Sequence, residues 1–214
     1  NLIINNTKFG FINESGNIFT HNNNEKYFSR INKINNTRKR ITYFLGKGVN
    51  LSYIDISDQN LDNINFTNSN LTDTYLPSRN INNTRFVNFK GIPYNLPSTS
   101  YNQIEISTDN NIIIGPNLDI TNCNLSNKDL TGFNLTNCSL ENVYLTNTVM
   151  TDVIINNTIA GPILYTSNPI VPNDYSIMVN NVNSKYLLGS NVKIHNVNFD
   201  NYHFNNMKIT NIDL

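Results

Sequence analysis

Three long stretches of this chain place an apolar residue at every fifth position. The first reads Leu51, Ile56, Leu61, Phe66, Leu71, Leu76, Ile81, Phe86. The second reads Ile120, Leu125, Leu130, Leu135, Leu140, Leu145, Met150, Ile155. The third reads Ile194, Phe199, Phe204, Ile209, Leu214. A helix repeats its apolar face about every 3.6 residues and a half-buried strand every 2. A sustained period of five suits neither. It predicts an all-β solenoid, in which the chain turns a corner every five residues and stacks its coils around one inward ladder of these side chains.

The flanking positions support this reading. Just before the ladder residue stand Asn50, Asp55, Asn60, Asn65, Asn70, Asn124, Asp129 and Asn134. Just after it stand Ser52, Ser57, Thr67, Thr72, Thr121, Ser126, Thr131, Thr136, Thr146 and Thr151. Two places before it stand Val49, Ile54, Ser69, Cys123, Cys138, Val143, Val153, Val192 and Val197. In extended backbone, residues two apart share a face. The ladder residue and the one two before it therefore point inward, with Asn and Ser/Thr outside. Asn suits corners, because it tolerates left-handed backbone and bonds its own chain. Tyr144, Val149 and Ile154 depart from the pattern where Asn or Asp is usual. Gln59, Arg79 and Lys128 depart where a small residue is usual, so the wall there is expected to bulge or be lined by a long stem.

The run Asn124-Leu125-Ser126-Asn127-Lys128-Asp129-Leu130-Thr131-Gly132-Phe133-Asn134-Leu135-Thr136 resembles the pentapeptide-repeat family, whose consensus is A(D/N)LXX. The resemblance implies a right-handed, quadrilateral β-helix with about 20 residues per coil. Each inward Leu, Ile or Phe contributes roughly 1.5–3 kcal/mol on burial. Ordering backbone costs about 1–2 kcal/mol per residue. One pentad therefore cannot stand alone and needs neighbouring coils stacked about 4.8 Å away.

A larger repeat overlies the small one. Ile4-Asn5-Asn6-Thr7, Ile81-Asn82-Asn83-Thr84 and Ile155-Asn156-Asn157-Thr158 are identical. Phe44-Leu45-Gly46, Ile113-Ile114-Gly115 and Leu187-Leu188-Gly189 each precede a run by five residues. Two interruptions are rich in turn residues, and each predicts a β-hairpin. One pairs Ile104–Ile106 with Ile112–Ile114; the other pairs Ile177–Val179 with Tyr186–Leu188. Gly at each return point is expected to supply φ > 0. The chain divides into one continuous solenoid of six parts. Residues 1–48 are the tail of an upstream run plus a basic insertion. Residues 49–90 are the first run and 91–115 a hairpin insertion. Residues 116–159 are the second run, 160–189 another hairpin insertion and 190–214 the third run. The beginning inside an Ile-Asn-Asn-Thr word and the finish on a ladder residue suggest two open β-edges. The Pro-Tyr-hairpin-Gly interruptions and the Asn/Ile bias resemble pentapeptide-repeat proteins of giant DNA viruses of the mimivirus type.

Composition sharpens the picture. Only 14% of residues are charged, and 47 asparagines fill the deficit. Disorder would bring high net charge and no periodic apolar pattern, whereas here the net charge is zero and the period strict. The charge is uneven. Residues 1–48 hold eight basic and two acidic side chains (+6), and the remainder holds seven and thirteen (−6). Lys26, Arg30, Lys33, Arg38, Lys39 and Arg40, among Tyr27, Phe28 and Ile31, form a candidate partner-binding basic patch. No signal peptide or apolar run of membrane-spanning length is present in the sequence.

Candidate chemistry is sparse. His21, His195 and His203 lack a second ligand at metal spacing. Cys123 and Cys138 both fall on inward positions fifteen residues apart, which favours two buried thiols on different walls over a disulfide. The Asn-x-Ser/Thr sequons at Asn50, Asn65, Asn70, Asn124 and Asn134 arise from the pentad itself. No catalytic, cofactor or metal site is expected, and the chain is read as a non-enzyme.

These features predict a structural or protein-interaction solenoid. It is expected to be a capsid-associated virion component, assembling with itself or with other coat proteins. Its location would be the virion if the protein is viral and the cytoplasm otherwise; nucleic acid is not the expected partner. A DNA-mimicking repeat protein that binds a topoisomerase is the alternative, against which stands a body of only −6 beside a basic head. A carbohydrate-binding adhesin is a further alternative.

Overall fold

The computed structural model of the protein describes residues 19–20, 26–34, 40–195, 197 and 210, with side chains from residue 45 onward. Among the described residues every regular element is a strand. They are β1 (Phe19–Thr20), β2 (Lys26–Ile34), β3 (Arg40–Leu45), β4 (Val87–Phe89), β5 (Asn102–Ser107), β6 (Asn110–Ile114), β7 (Thr158–Ile159), β8 (Ser176–Val179), β9 (Lys185–Leu188) and β10 (Val192–Lys193). The chain forms two compact units. The first holds Asn1–Thr99 and Gln103–Ile113, the second Ser100–Asn102 and Ile114–Leu214.

Most of the chain is built from corners. In most, the N–H three residues after a ladder residue donates to the ladder carbonyl: Ile54 to Leu51 at 3.0 Å, Lys128 to Leu125 at 3.1 Å, Cys138 to Leu135 at 3.0 Å. In most of them the residue just before that donor carries positive φ, as at Asn63 (63°), Asn127 (60°) and Asn137 (60°), which is the mark of a type II turn; Asp58, in the Ile56 corner, does not. That explains the Asn recurring two places after the ladder residue; Gly132 (φ 73°) takes the same place in another corner. The Asn or Asp before the ladder residue braces the same corner. Asn50 Oδ1 accepts from the Ser52 N–H (3.1 Å) and hydroxyl (2.8 Å). Asp129 Oδ1 accepts from the Thr131 N–H (2.9 Å) and hydroxyl (2.6 Å). Each polar letter of the pentad thus has its own hydrogen-bonding task.

Corners stack into parallel rungs twenty residues long. In the first unit Asn50 pairs with Asn70, Asp55 with Tyr75 and Asn65 with Arg85. In the second, Asn124 pairs with Tyr144, Asp129 with Val149 and Asn134 with Ile154. The Leu51 N–H reaches the Asn70 carbonyl at 2.9 Å, and the Asn70 N–H returns to the Val49 carbonyl at 2.8 Å. Asn side chains join rungs from outside: Asn83 donates to Asn63 (3.0 Å), Asn137 to Asn117 (2.8 Å) and Asn147 to Asn127 (3.1 Å).

The ladder side chains fill the interior. Leu51 to Phe86 in the first unit, and Ile120 to Ile155 with Ile194 in the second, are all 4% exposed or less. Phe66 and Phe86, one rung apart, stack with ring centroids 5.2 Å apart and planes 6° from parallel. The position two before the ladder residue is buried at Val49, Ile64, Cys123, Val143 and Val153. Where it is a hydroxyl, that group crosses one rung to a ladder carbonyl. Thr74 donates to Leu51 (2.8 Å), Thr84 to Leu61 (2.6 Å), Thr148 to Leu125 (2.9 Å) and Thr158 to Leu135 (2.8 Å). These four buried hydroxyls are in this way satisfied. At the irregular places Gln59 and Lys128 are half-buried and Arg79 is exposed. Arg79 is no lining stem, and the corner starting at Leu76-Pro77 carries its left-handed residue two places later than the others, at Asn80 (φ 58°).

Two hairpins interrupt the rungs. β6 lies between β4 and β5 and is antiparallel to β4, with Val87 opposite Ile112. Its Ile112, Ile113 and Ile114 are almost wholly buried. β8 and β9 form an antiparallel hairpin, Ile177 opposite Leu187. β10 then pairs in parallel with β7, Val192 opposite Thr158. These partners are 34 residues apart rather than 20, so fourteen residues leave the rung and the pattern resumes in register.

The glycines at the return points do not serve as their position suggests. Gly115 and Gly189 do not have positive φ. A tyrosine ring occupies the space a side chain would need. A Cβ on Gly115 would lie 2.2 Å from Tyr101 Cδ1, and one on Gly189 2.0 Å from Tyr175 Cδ1. Each phenol then donates to the carbonyl after its glycine, Tyr101 to Pro116 at 3.1 Å and Tyr175 to Ser190 at 2.6 Å. Sequence spacing suggests a turn glycine, whereas the constraint is close approach of an aromatic ring from fourteen residues upstream.

Candidate interaction surfaces

The interior is committed to packing, so the chemistry available to a partner lies on the outer faces. Among the described residues no three His, Cys, Asp or Glu side chains group as metal ligands would. His195 is exposed; His21 and His203 lie outside the described residues. Cys123 and Cys138 are buried thiols not joined by a disulfide. Burial pushes the Cys138 thiol up to about 12, helped by the Asp119 carboxylate and opposed by the N–H groups of Leu118 and Asn117. The thiol instead acts as the hydroxyls do, with its Sγ 3.2 Å from the Gly115 carbonyl one rung away. The Thr131 hydroxyl and N–H hold the Asp129 carboxyl below the usual aspartate range, so it serves its corner rather than a reaction.

Of the basic patch, Lys26, Arg30 and Lys33 fall in β2 and Arg40 in β3, which are antiparallel with Ile34 opposite Arg40. Arg38 and Lys39 lie outside the described residues, as do the ladder positions Phe199, Phe204, Ile209 and Leu214.

A feature not singled out by the repeat is a group of exposed aromatic and aliphatic side chains. In the first unit these are Tyr53 (74% exposed), Tyr75 (40%), Ile92 (70%) and Tyr94 (64%). Three successive rungs carry them, at and just past one corner. The Tyr53 N–H bonds Thr72, Asp55 pairs with Tyr75, the Asp73 N–H bonds Ile92 and the Tyr94 N–H bonds Thr74. The rings of Tyr75 and Tyr94 stack with centroids 4.0 Å apart and planes 25° from parallel. Partial burial, then the Tyr94 phenol, then the carboxylates of Asp55 and Asp73 raise the Tyr75 hydroxyl above the ordinary tyrosine range. Tyr53 holds φ at 63°, in the corner place where Asn, Asp or Gly stands in most others. In the sequence the signal is an aromatic residue at two places that the pentad gives to Asn or Asp.

The second unit shows a related departure. Its second rung carries Tyr144, Val149 and Ile154 directly over Asn124, Asp129 and Asn134. Tyr144 and Ile154 are 47% and 44% exposed, and Ile170, stacked on Val149, is 59% exposed.

Rungs of corners with a five-residue period, made only of strands among the described residues, define a β-helix-type repeat protein. Comparison with known families agrees: the family model for pentapeptide repeats matches residues 50–86 and 117–153, in eight copies. Residues 50–86 and 117–153 are pentapeptide repeats. No curated protein and no solved structure matches it. No helix among the described residues is long and apolar enough to cross a membrane.

Proposed function

We propose that the chain is a non-catalytic, right-handed, four-sided solenoid whose outer walls bind protein, and that it serves as a component of a large-virus particle. Twenty residues per rung and a corner every five support four walls. Protein-interaction scaffolds are a common use of such repeats, and the two-ended charge of the sequence suits head-to-tail association. The observation that carries the reading is the outward apolar set. Tyr53, Tyr75, Tyr144 and Ile154 stand exposed where the pentad elsewhere supplies Asn, Asp or Gly, and Tyr94 stands exposed beside Tyr75. Tyrosine is enriched at the centres of protein interfaces.

The test is mass in solution across a concentration series, with negative-stain microscopy of the same samples. Growth into defined oligomers, or a stoichiometric complex with a purified coat protein, supports the proposal. An inert monomer at every concentration that also ignores such coat proteins overturns it. A topoisomerase inhibition assay separates the DNA-mimic reading, and a glycan array separates the adhesin reading.

A further inference from the structure

We propose that the wall formed by Tyr53, Tyr75, Ile92 and Tyr94, with the carboxylates of Asp55 and Asp73, is a docking surface for the basic segment 26–40 of a second copy of this chain. The inference deepens the protein-interaction reading and rests on it, by naming the surface and its occupant.

Two independent observations mark the wall. Its apolar groups occur on three successive rungs, Tyr75 and Tyr94 stack on one another, and all four remain 40–74% exposed. Tyr53 in addition sits at φ 63° while 74% exposed. A bulky residue is rarely found in left-handed backbone, and Asn or Gly would relieve the conformation. Neither burial nor backbone geometry explains this tyrosine, whereas a contact does.

The occupant follows from charge and shape. Asp55 pairs with Tyr75 one rung away and Asp73 stands two residues before it, so the rings carry carboxylates beside them. Aromatic faces edged by carboxylates favour guanidinium and ammonium groups, whose alkyl stems lie along the rings. The molecule already uses this contact internally, with Lys185 Nζ 3.8 Å above the centre of the Tyr165 ring. The sequence contains one stretch of matching chemistry. Residues 26–40 bring six cations together with Tyr27, Phe28 and Ile31. Wall and segment are different surfaces, so the contact is head-to-tail and propagates unless rotation closes it into a ring.

The experiment is sedimentation equilibrium on the full chain with two variants. One carries Tyr53→Asn, Tyr75→Asn and Tyr94→Asn; the other carries Arg38→Glu, Lys39→Glu and Arg40→Glu. Circular dichroism and thermal melting establish that each is folded. The single change Tyr53→Asn, which suits the backbone, provides a wall variant that retains the fold. The expected result is concentration-dependent self-association of the wild type that weakens with salt. Each triple variant should lose affinity at least about tenfold, and Tyr53→Asn should lose part of it. An equimolar mixture of the two triple variants should form a dimer and nothing larger, because each supplies one intact surface. Wild-type association that persists unchanged in the wall variants overturns this inference while leaving the interaction reading standing. A wild type that never self-associates but binds a coat protein also overturns it. A wild type that binds neither removes both.

Discussion

The ring of Tyr175 lies against Gly189, and its hydroxyl donates to the Ser190 carbonyl at 2.6 Å. Tyr101 does the same with Gly115 and Pro116. Gly189→Ala places a methyl 2.0 Å from the ring and must displace it. The expected loss is about 1–3 kcal/mol, as for overpacking elsewhere. Tyr175→Phe removes only the hydroxyl and should lose about 1 kcal/mol. Urea titration of the two variants checks the order. Equal and negligible effects would show that the ring does not hold the insertion.

Tyr53→Asn is expected to raise stability by about 1 kcal/mol, because it trades a strained aromatic for a residue that accepts left-handed backbone. The same change should weaken self-association. A thermal melt and a sedimentation run on one sample report both. A fall in stability would mean that the ring packs within its own chain.

Hydroxyls that look alike in the sequence should behave differently. Thr158 Oγ1 is buried and bonds the Leu135 carbonyl at 2.8 Å. Thr158→Val should therefore lose about 1 kcal/mol. Thr67 Oγ1 is buried with no hydrogen-bond partner. Thr67→Val should change stability by no more than about 0.5 kcal/mol, in either direction. Paired denaturant curves decide the matter, and equal losses would refute the distinction.

Cys138 should resist alkylation at neutral pH in the folded protein. Its thiol is buried, held against a carbonyl and pushed up to about 12, so almost no thiolate is present. Mass spectrometry after iodoacetamide, before and after denaturation, measures this. Rapid modification of the native chain would refute the assigned environment.

Alkaline pH should weaken the second unit through its tyrosines. Burial raises the Tyr101 and Tyr175 hydroxyls above the ordinary value of 10.0, with Cys138 and Asp174 contributing respectively. A group whose folded value is raised stabilises below its unfolded value, and that contribution is lost as pH rises through the folded value. The urea midpoint should thus fall as pH climbs past about 10, and the double variant Tyr101→Phe, Tyr175→Phe should fall less steeply. An identical slope would assign the loss to other groups.

Much of this architecture was legible in the residues. A five-residue period at Leu125, Leu130 and Leu135 has one economical solution in three dimensions, because each pentad must repeat the same corner. The roles of Asn124 and Asn127 follow from what that corner demands of side-chain oxygen and backbone angle. The ring on Gly189 could not be read in the same way. A glycine after a hairpin suits several explanations, and choosing among them requires knowing what approaches it from fourteen residues away. The exposed wall was hidden for a similar reason. Tyr53 and Tyr75 sit at different offsets within their pentads, and Ile92 and Tyr94 lie where the period has lapsed. Only stacking brings the four together.

The pairing of Thr158 with Val192 has a practical corollary. Because the strand pattern closes behind the excursion without losing phase, only the hairpin tip between Val179 and Lys185 lies clear of the frame, whereas Leu187 and Leu188 are packed into it. Foreign sequence of unrelated length could be spliced between Val179 and Lys185, with Tyr175 and Gly189 retained as the clasp, and the scaffold beneath would carry it as a mast carries a flag.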